Sequence, residues 1–122
     1  MKIRIRENSV RYRLTKSEVE AFCREGYFEQ KTHFESKTFT YALKARSDID
    51  ELYADFRKDT ISLFLNDVLA VNWDKEERVG FSGTMETKNG HCISLLLEKD
   101  FICMDETLED QSDNYPNPRY SK

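Results

Sequence analysis

Residues 2–6 and 9–14 alternate apolar with charged or polar, one for one, on either side of Glu7-Asn8. That is the period of a strand with one face buried and the other in water; a helix of the same sequence would scatter both kinds of residue around its circumference. A two-residue turn at Glu7-Asn8, with Asn8 expected in the left-handed region, predicts an antiparallel hairpin. Its register sets Ile5 opposite Val10, Ile3 opposite Tyr12 and Met1 opposite Leu14, so one face is wholly apolar. The same register sets Arg4 opposite Arg11 and Lys2 opposite Arg13. Like charges directly across a ladder repel, so something has to compensate them.

The alternation recurs. Residues 27–34 and 38–45 form a second expected hairpin, with Phe28, Thr32 and Phe34 on one strand and Phe39, Tyr41, Leu43 and Ala45 sharing a face of the other. Leu52, Ala54 and Phe56 pair through Lys58-Asp59 with Ile61, Leu63 and Leu65. The last hairpin joins 79–86 to 92–97. A two-residue loop at Asn89-Gly90 would set Phe81 against Glu98, whereas a three-residue loop, Lys88-Asn89-Gly90, sets Met85 opposite Ile93, Gly83 opposite Leu95 and Phe81 opposite Leu97. A one-residue slip reverses the buried face, so the second register is expected, with Gly90 left-handed in a bulge.

Between the first two hairpins the signals change to those of a helix. Thr15 and Glu18 make a capping box, Leu14 and Val19 a hydrophobic staple, and Val19, Phe22 and Cys23 one buried stripe that ends at Gly26. Asn66 is placed to cap a second, short helix carrying Val68, Leu69 and Trp73. After Met104 the pattern dissolves into an acidic run, Asp105 to Asp113, and the proline-containing Asn114-Tyr115-Pro116-Asn117-Pro118, which suits neither helix nor central strand. The expected fold is α+β: about eight strands in mainly antiparallel hairpins forming a curved sheet or partly closed β-barrel, with two short helices. Residues 1–104 read as a single domain and 105–122 as an acidic, proline-containing C-terminal tail.

Composition narrows the function classes. Hydrophobic residues make up 39% and aromatics number eight Phe, six Tyr and one Trp, enough for a packed core, while 34% charged residues make the surface polar. The longest apolar runs, such as Phe101 to Met104, fall far short of the roughly 20 residues of a membrane span. Three widely spaced cysteines, Cys23, Cys92 and Cys103, suit reduced thiols and a cytoplasmic setting better than a disulfide framework. Net charge is −4, yet the first sixteen residues hold six bases (Lys2, Arg4, Arg6, Arg11, Arg13, Lys16) against Glu7 alone. Asp105 to Asp113 holds five acids and no base. Such asymmetry implies an anionic partner, or two ends that meet each other.

Chemical motifs are sparse. His91 and Cys92 are adjacent and on a strand point to opposite faces, and no C-x-x-C or H-E-x-x-H spacing occurs, so no metal or other cofactor is expected. The paired carboxylates (Glu76-Glu77, Asp48 with Asp50, Glu109-Asp110) fall in turns or the tail, where water keeps them ordinary. His33 falls on a charged strand face and Cys23 on a buried stripe, so no catalytic residue is named. The basic hairpin carries a single aromatic, Tyr12, on its buried side, and the pI is about 5.3; both weigh against nucleic acid. What remains is the basic face itself, Lys2, Arg4, Arg6, Arg11 and Arg13, whose guanidinium forks match phosphate oxygens.

The run MKIRIRENSVRYRLTKSEVEAF, together with LLLEKDFICMD and the closing YPNP, resembles a family of small uncharacterised bacterial proteins across nearly the whole chain. That resemblance carries no activity and no functional residues. The charged first strand also bears a faint similarity to that of the triphosphate-tunnel enzymes, but Lys2, Arg4 and Arg6 stand where their E-x-E-x-K signature has its glutamates. The expectation is therefore a non-enzymatic binding or interaction module for an anionic small molecule or an acidic protein segment. The alternative is a small hydrolase acting on a phosphate-bearing substrate at the same face.

Overall fold

A computed structural model describes residues 1–101 and 112–116. Strands β1 (Lys2–Arg6) and β2 (Ser9–Leu14) precede helix α1 (Lys16–Glu25). Strands β3 (Tyr27–His33), β4 (Thr38–Arg46), β5 (Tyr53–Arg57) and β6 (Thr60–Asn66) follow. Helix α2 (Asp67–Val71) and a 3₁₀ turn (Trp73–Lys75) lead to β7 (Gly80–Glu86) and β8 (Cys92–Lys99). The α+β class and all four hairpins are as expected. β1 and β2 hold the register Ile5 to Val10, Ile3 to Tyr12 and Arg4 to Arg11. β7 and β8 hold Met85 to Ile93, Gly83 to Leu95 and Phe81 to Leu97, with Gly90 at φ +85°.

The hairpins join in a way that a purely antiparallel reading misses. β2 lies parallel to β8, and β4 parallel to β6, giving two four-stranded sheets of order β1-β2-β8-β7 and β3-β4-β6-β5. Each sheet is thus two hairpins side by side, inner strands running the same way, and the strands do not close a barrel. Alternation is the same for parallel and antiparallel neighbours, so it fixes each strand's buried face but not its partner's direction.

The core is one cluster. Tyr12, Leu14, Phe81, Leu95 and Leu97 of the first sheet meet Leu43, Ile61, Leu63 and Leu65 of the second, with Val19 and Phe22 of α1, and Trp73, closing it. Tyr12 is fully buried, edge-on to Tyr41 at 6.2 Å, and its hydroxyl donates to the Ile61 carbonyl at 3.0 Å, tying sheet to sheet. Burial raises the Tyr12 pKa far above its usual range, so this hydroxyl stays a donor. Position 80, at the start of β7, requires glycine because a Cβ there would stand 2.1 Å from the Leu97 carbonyl oxygen.

Glu18 anchors the start of α1 from three sides. One carboxylate oxygen accepts from the Thr15 N–H at 2.8 Å; the other pairs with the Met1 ammonium and accepts from Gln30 Nε2 at 3.3 Å. Gly26 ends the helix at φ +72°, its N–H donating to Phe22 O. Two local expectations change. Glu7, not Asn8, takes the left-handed conformation, at φ +50°, while Asn8 is held by its neighbours: its side chain donates to the Cys92 carbonyl and its own carbonyl accepts from Ser94 N–H at 3.0 Å. Trp73 lies beyond α2, buried in the 3₁₀ turn, and Val68 of α2 is 76% exposed.

Residues 112–116 pack on the body. The Lys16 N–H donates to Asp113 O at 2.9 Å and the Ser17 hydroxyl to Asp113 Oδ2 at 2.6 Å, while the Tyr115 N–H donates to Asp100 O at 2.8 Å. Asn114 is buried. Of the acidic run, Asp105, Glu106, Glu109 and Asp110 lie outside the described residues, as does Cys103. Asp113 is spent not on the basic hairpin but on the N-terminus of α1, whose unpaired N–H groups and dipole favour a carboxylate. The Ser17 hydroxyl foremost, with Thr15 and Lys16 nearby, holds the Asp113 carboxyl below its ordinary value. Its stabilisation is therefore present above the unfolded carboxyl's pKa of about 3.9 and is lost as pH falls through the lower folded value. Asp113→Asn should cost about 1 kcal/mol or less in urea denaturation at neutral pH, and the gap should close in acid. A gap of the same size in acid would contradict this role.

Candidate functional site

The outer face of the first sheet follows from its registers. Lys2, Arg4 and Arg6 of β1, Ser9, Arg11 and Arg13 of β2, Ser94, Leu96 and Glu98 of β8, and Ser82 and Thr84 of β7 all point away from the core. The five predicted residues are therefore together on one face, because alternation permits nothing else once Ile3, Ile5, Val10 and Tyr12 face inward.

They are not equivalent. The parallel pairing sets Glu98 beside Arg13, and a single carboxylate oxygen, Oε1, accepts from Arg13 Nε at 2.9 Å and from Arg11 Nε at 2.7 Å. Glu98 is thus the compensating acid that the hairpin requires. Lys2 Nζ stands 3.1 Å from Oδ2 of the buried Asp100, an ion-pair contact without hydrogen-bond alignment. Arg4 and Arg6 are exposed, and among the described residues neither has an ion-pair partner.

A groove of about 270 Å³ runs between Lys2, Ile3, Arg4, Arg11 and Arg13. A second, of about 410 Å³, continues across β2, β8 and β7 beside Ser9, Ser82, Thr84, Ser94 and Leu96, and Arg11 lines both. The hollow lies where side chains are short: serines and a threonine stand level with arginines and Glu98 on the same face. Neither groove contains an aromatic residue.

The chain belongs to DUF7009, a family of unknown function. The family's model matches residues 1–119, which spans both sheets and the whole basic face. No curated protein and no solved structure matches the chain. In this DUF7009 protein, sequence reasoning finds the five cations but misses Glu98 and the hydroxyls of β7 and β8, because only the parallel contact brings them beside β2. No helix among the described residues is long and apolar enough to cross a membrane.

Other candidate residues sit elsewhere. His33 lies on the second sheet, its Nδ1 3.0 Å from the Thr38 hydroxyl. The exposed Tyr27 and Tyr53 are on that sheet too, flanking Lys44 and Phe64, while Arg46 stacks on Phe64 at 4.9 Å and pairs with Asp48. Burial raises the Cys23 thiol to about 11, which keeps it protonated and unreactive. Lys99 is 4% exposed, donates to the Glu76 carbonyl at 2.6 Å, and lies 5.0 Å from the Tyr115 ring and 5.8 Å from Trp73. Burial pulls its pKa down, with nearby Cys23, Glu76 and Asp74 opposing.

The shared counter-ion makes a direct prediction. Glu98→Gln leaves Arg11, Arg13 and Arg4 facing one another, and should cost about 1–2 kcal/mol at low ionic strength. Urea denaturation in about 1 M salt should show a smaller loss, since repulsion among the partly exposed guanidinium groups is then screened. No loss at low salt would mean that Glu98 does not hold the face together.

Proposed function

We propose that this protein is a binding module for a small anionic ligand, held on the outer face of the first sheet by Lys2, Arg4, Arg6, Arg11 and Arg13. The observation that carries the reading is the division of that face. Glu98 fixes Arg11 and Arg13 in place, while Arg4 and Arg6 beside them remain without a partner among the described residues. A guanidinium fixed by a counter-ion and next to free ones is preorganised for a bidentate oxyanion, because less side-chain freedom is lost on binding.

Binding is favoured over the hydrolase alternative by the same geometry. The carboxylate in the site, Glu98, is engaged by two guanidinium groups, and His33, the other candidate base, is on the opposite sheet. General base catalysis needs a basic group within hydrogen-bond reach of the proton it takes. The three widely separated cysteines support a cytoplasmic setting for the module.

Thermal unfolding in inorganic phosphate, against chloride at matched ionic strength, tests the reading. Phosphate at about a hundred times its Kd adds roughly 2.7 kcal/mol of apparent stability. The gain should disappear in Arg4→Ala/Arg6→Ala, whose side chains are exposed and whose loss leaves the fold intact. An equal gain in wild type and variant, or none beyond chloride, would refute the site.

A further inference from the structure

We infer that the ligand of this face is a phosphomonoester of a hydroxyl-bearing body, a sugar or polyol phosphate, with its phosphate on the arginines and its hydroxyls over β7 and β8. The inference rests on the anion site proposed above and names what fills the rest of the trough.

The two grooves share Arg11 but differ in chemistry. The smaller is lined by four cations; the larger has no charged side chain besides Arg11. A ligand that fills both is therefore anionic at one end and neutral at the other. An inorganic oxyanion would leave the larger groove empty, and a polyphosphate or nucleic-acid backbone would run its charges past β8 and β7, where no cation meets them. A nucleotide would want an aromatic surface for its base, and none lines either groove.

What the larger groove offers is hydroxyls. Ser82, Thr84 and Ser94 are exposed, and among the described residues none of their hydroxyls is engaged. Ser9 donates to the Arg6 carbonyl at 2.7 Å, which leaves its oxygen able to accept. A hydroxyl both donates and accepts, so these four suit a polyhydroxy ligand in either sense. Leu96, half-buried between them, offers an apolar floor for the C–H face of a sugar ring. The volume of about 410 Å³ lies within the ordinary range of small-molecule sites, about 300–1,000 Å³.

Calorimetric titration separates this inference from the one beneath it. The probes are inorganic phosphate, glycerol phosphate, a pentose phosphate, a hexose phosphate and a short polyphosphate. At least one of the three esters should bind about tenfold tighter than inorganic phosphate, the return on one or two added hydrogen bonds. Thr84→Val/Ser94→Val should abolish that advantage while leaving phosphate affinity unchanged. Both positions are exposed strand sites where valine is well tolerated, and a melting curve checks the fold. If phosphate binds but no ester binds tighter, or polyphosphate binds tightest and the double variant is indifferent, the ligand class is wrong and the anion site stands. If nothing binds, both readings fall.

Discussion

A hairpin that buries Ile3, Ile5, Val10 and Tyr12 on one side has to set Arg4 against Arg11 and Lys2 against Arg13 on the other. That repulsion is the constraint around which the first sheet is arranged. Among the described residues it is met on β2 by Glu98, because β8 runs parallel to β2 in a register that brings Glu98 beside Arg13 and within 2.7 Å of Arg11, while Lys2 pairs with Asp100. An antiparallel β8 would set Glu98 against other residues, and one slipped by a single residue would also reverse which side of Leu95 and Leu97 faces the core. Hydrophobic burial and charge compensation thus specify the same register. Such agreement between levels is what selects one arrangement of four similar hairpins over others.

The compensation is incomplete, and its incompleteness gives the face its chemistry. One carboxylate cannot neutralise five cations; it fixes the two on β2, Lys2 turns to Asp100, and Arg4 and Arg6 remain on the edge strand. An edge strand rich in cations also resists pairing with another chain, so the same residues keep the sheet from extending. Across the face, the short side chains of β7 and β8 leave a hollow beside the arginines. Charge and shape therefore vary across the face, from a cationic groove at β1 and β2 to a hydroxyl-lined one at β7 and β8, with Arg11 lining both.

Much of this was legible in the sequence. Period-two alternation and turn chemistry located all four hairpins, the apolar mismatch at Phe81 and Glu98 selected the bulged register, and Thr15, Glu18 and Gly26 bounded α1. The five cations of the basic face follow from the first hairpin alone. Sheet assembly did not, since alternation carries no information on which hairpin neighbours which or in what direction. Glu98 was visible only as a residue to be kept out of the core, and Ser82, Thr84 and Ser94 as ordinary solvent-facing positions. Lys99 is a different failure: a lysine at a strand end reads as surface, and its burial depends on Trp73 and Tyr115, distant in sequence, covering it. Asp113 likewise reads as one acid in a run of five, while its contact with Ser17 is tertiary.

The central claim is that Glu98 divides the basic face into fixed and free guanidinium groups, the free ones being available to a ligand. Nuclear magnetic resonance of the arginine Nε–H groups observes this directly. The account predicts slowly exchanging, well-resolved Nε–H signals for Arg11 and Arg13 without ligand, and exchange-broadened signals for Arg4 and Arg6 that sharpen and shift as phosphate is added. Uniform signals from all four arginines, or phosphate shifts no larger at Arg4 and Arg6 than at the distant Arg24, would contradict it.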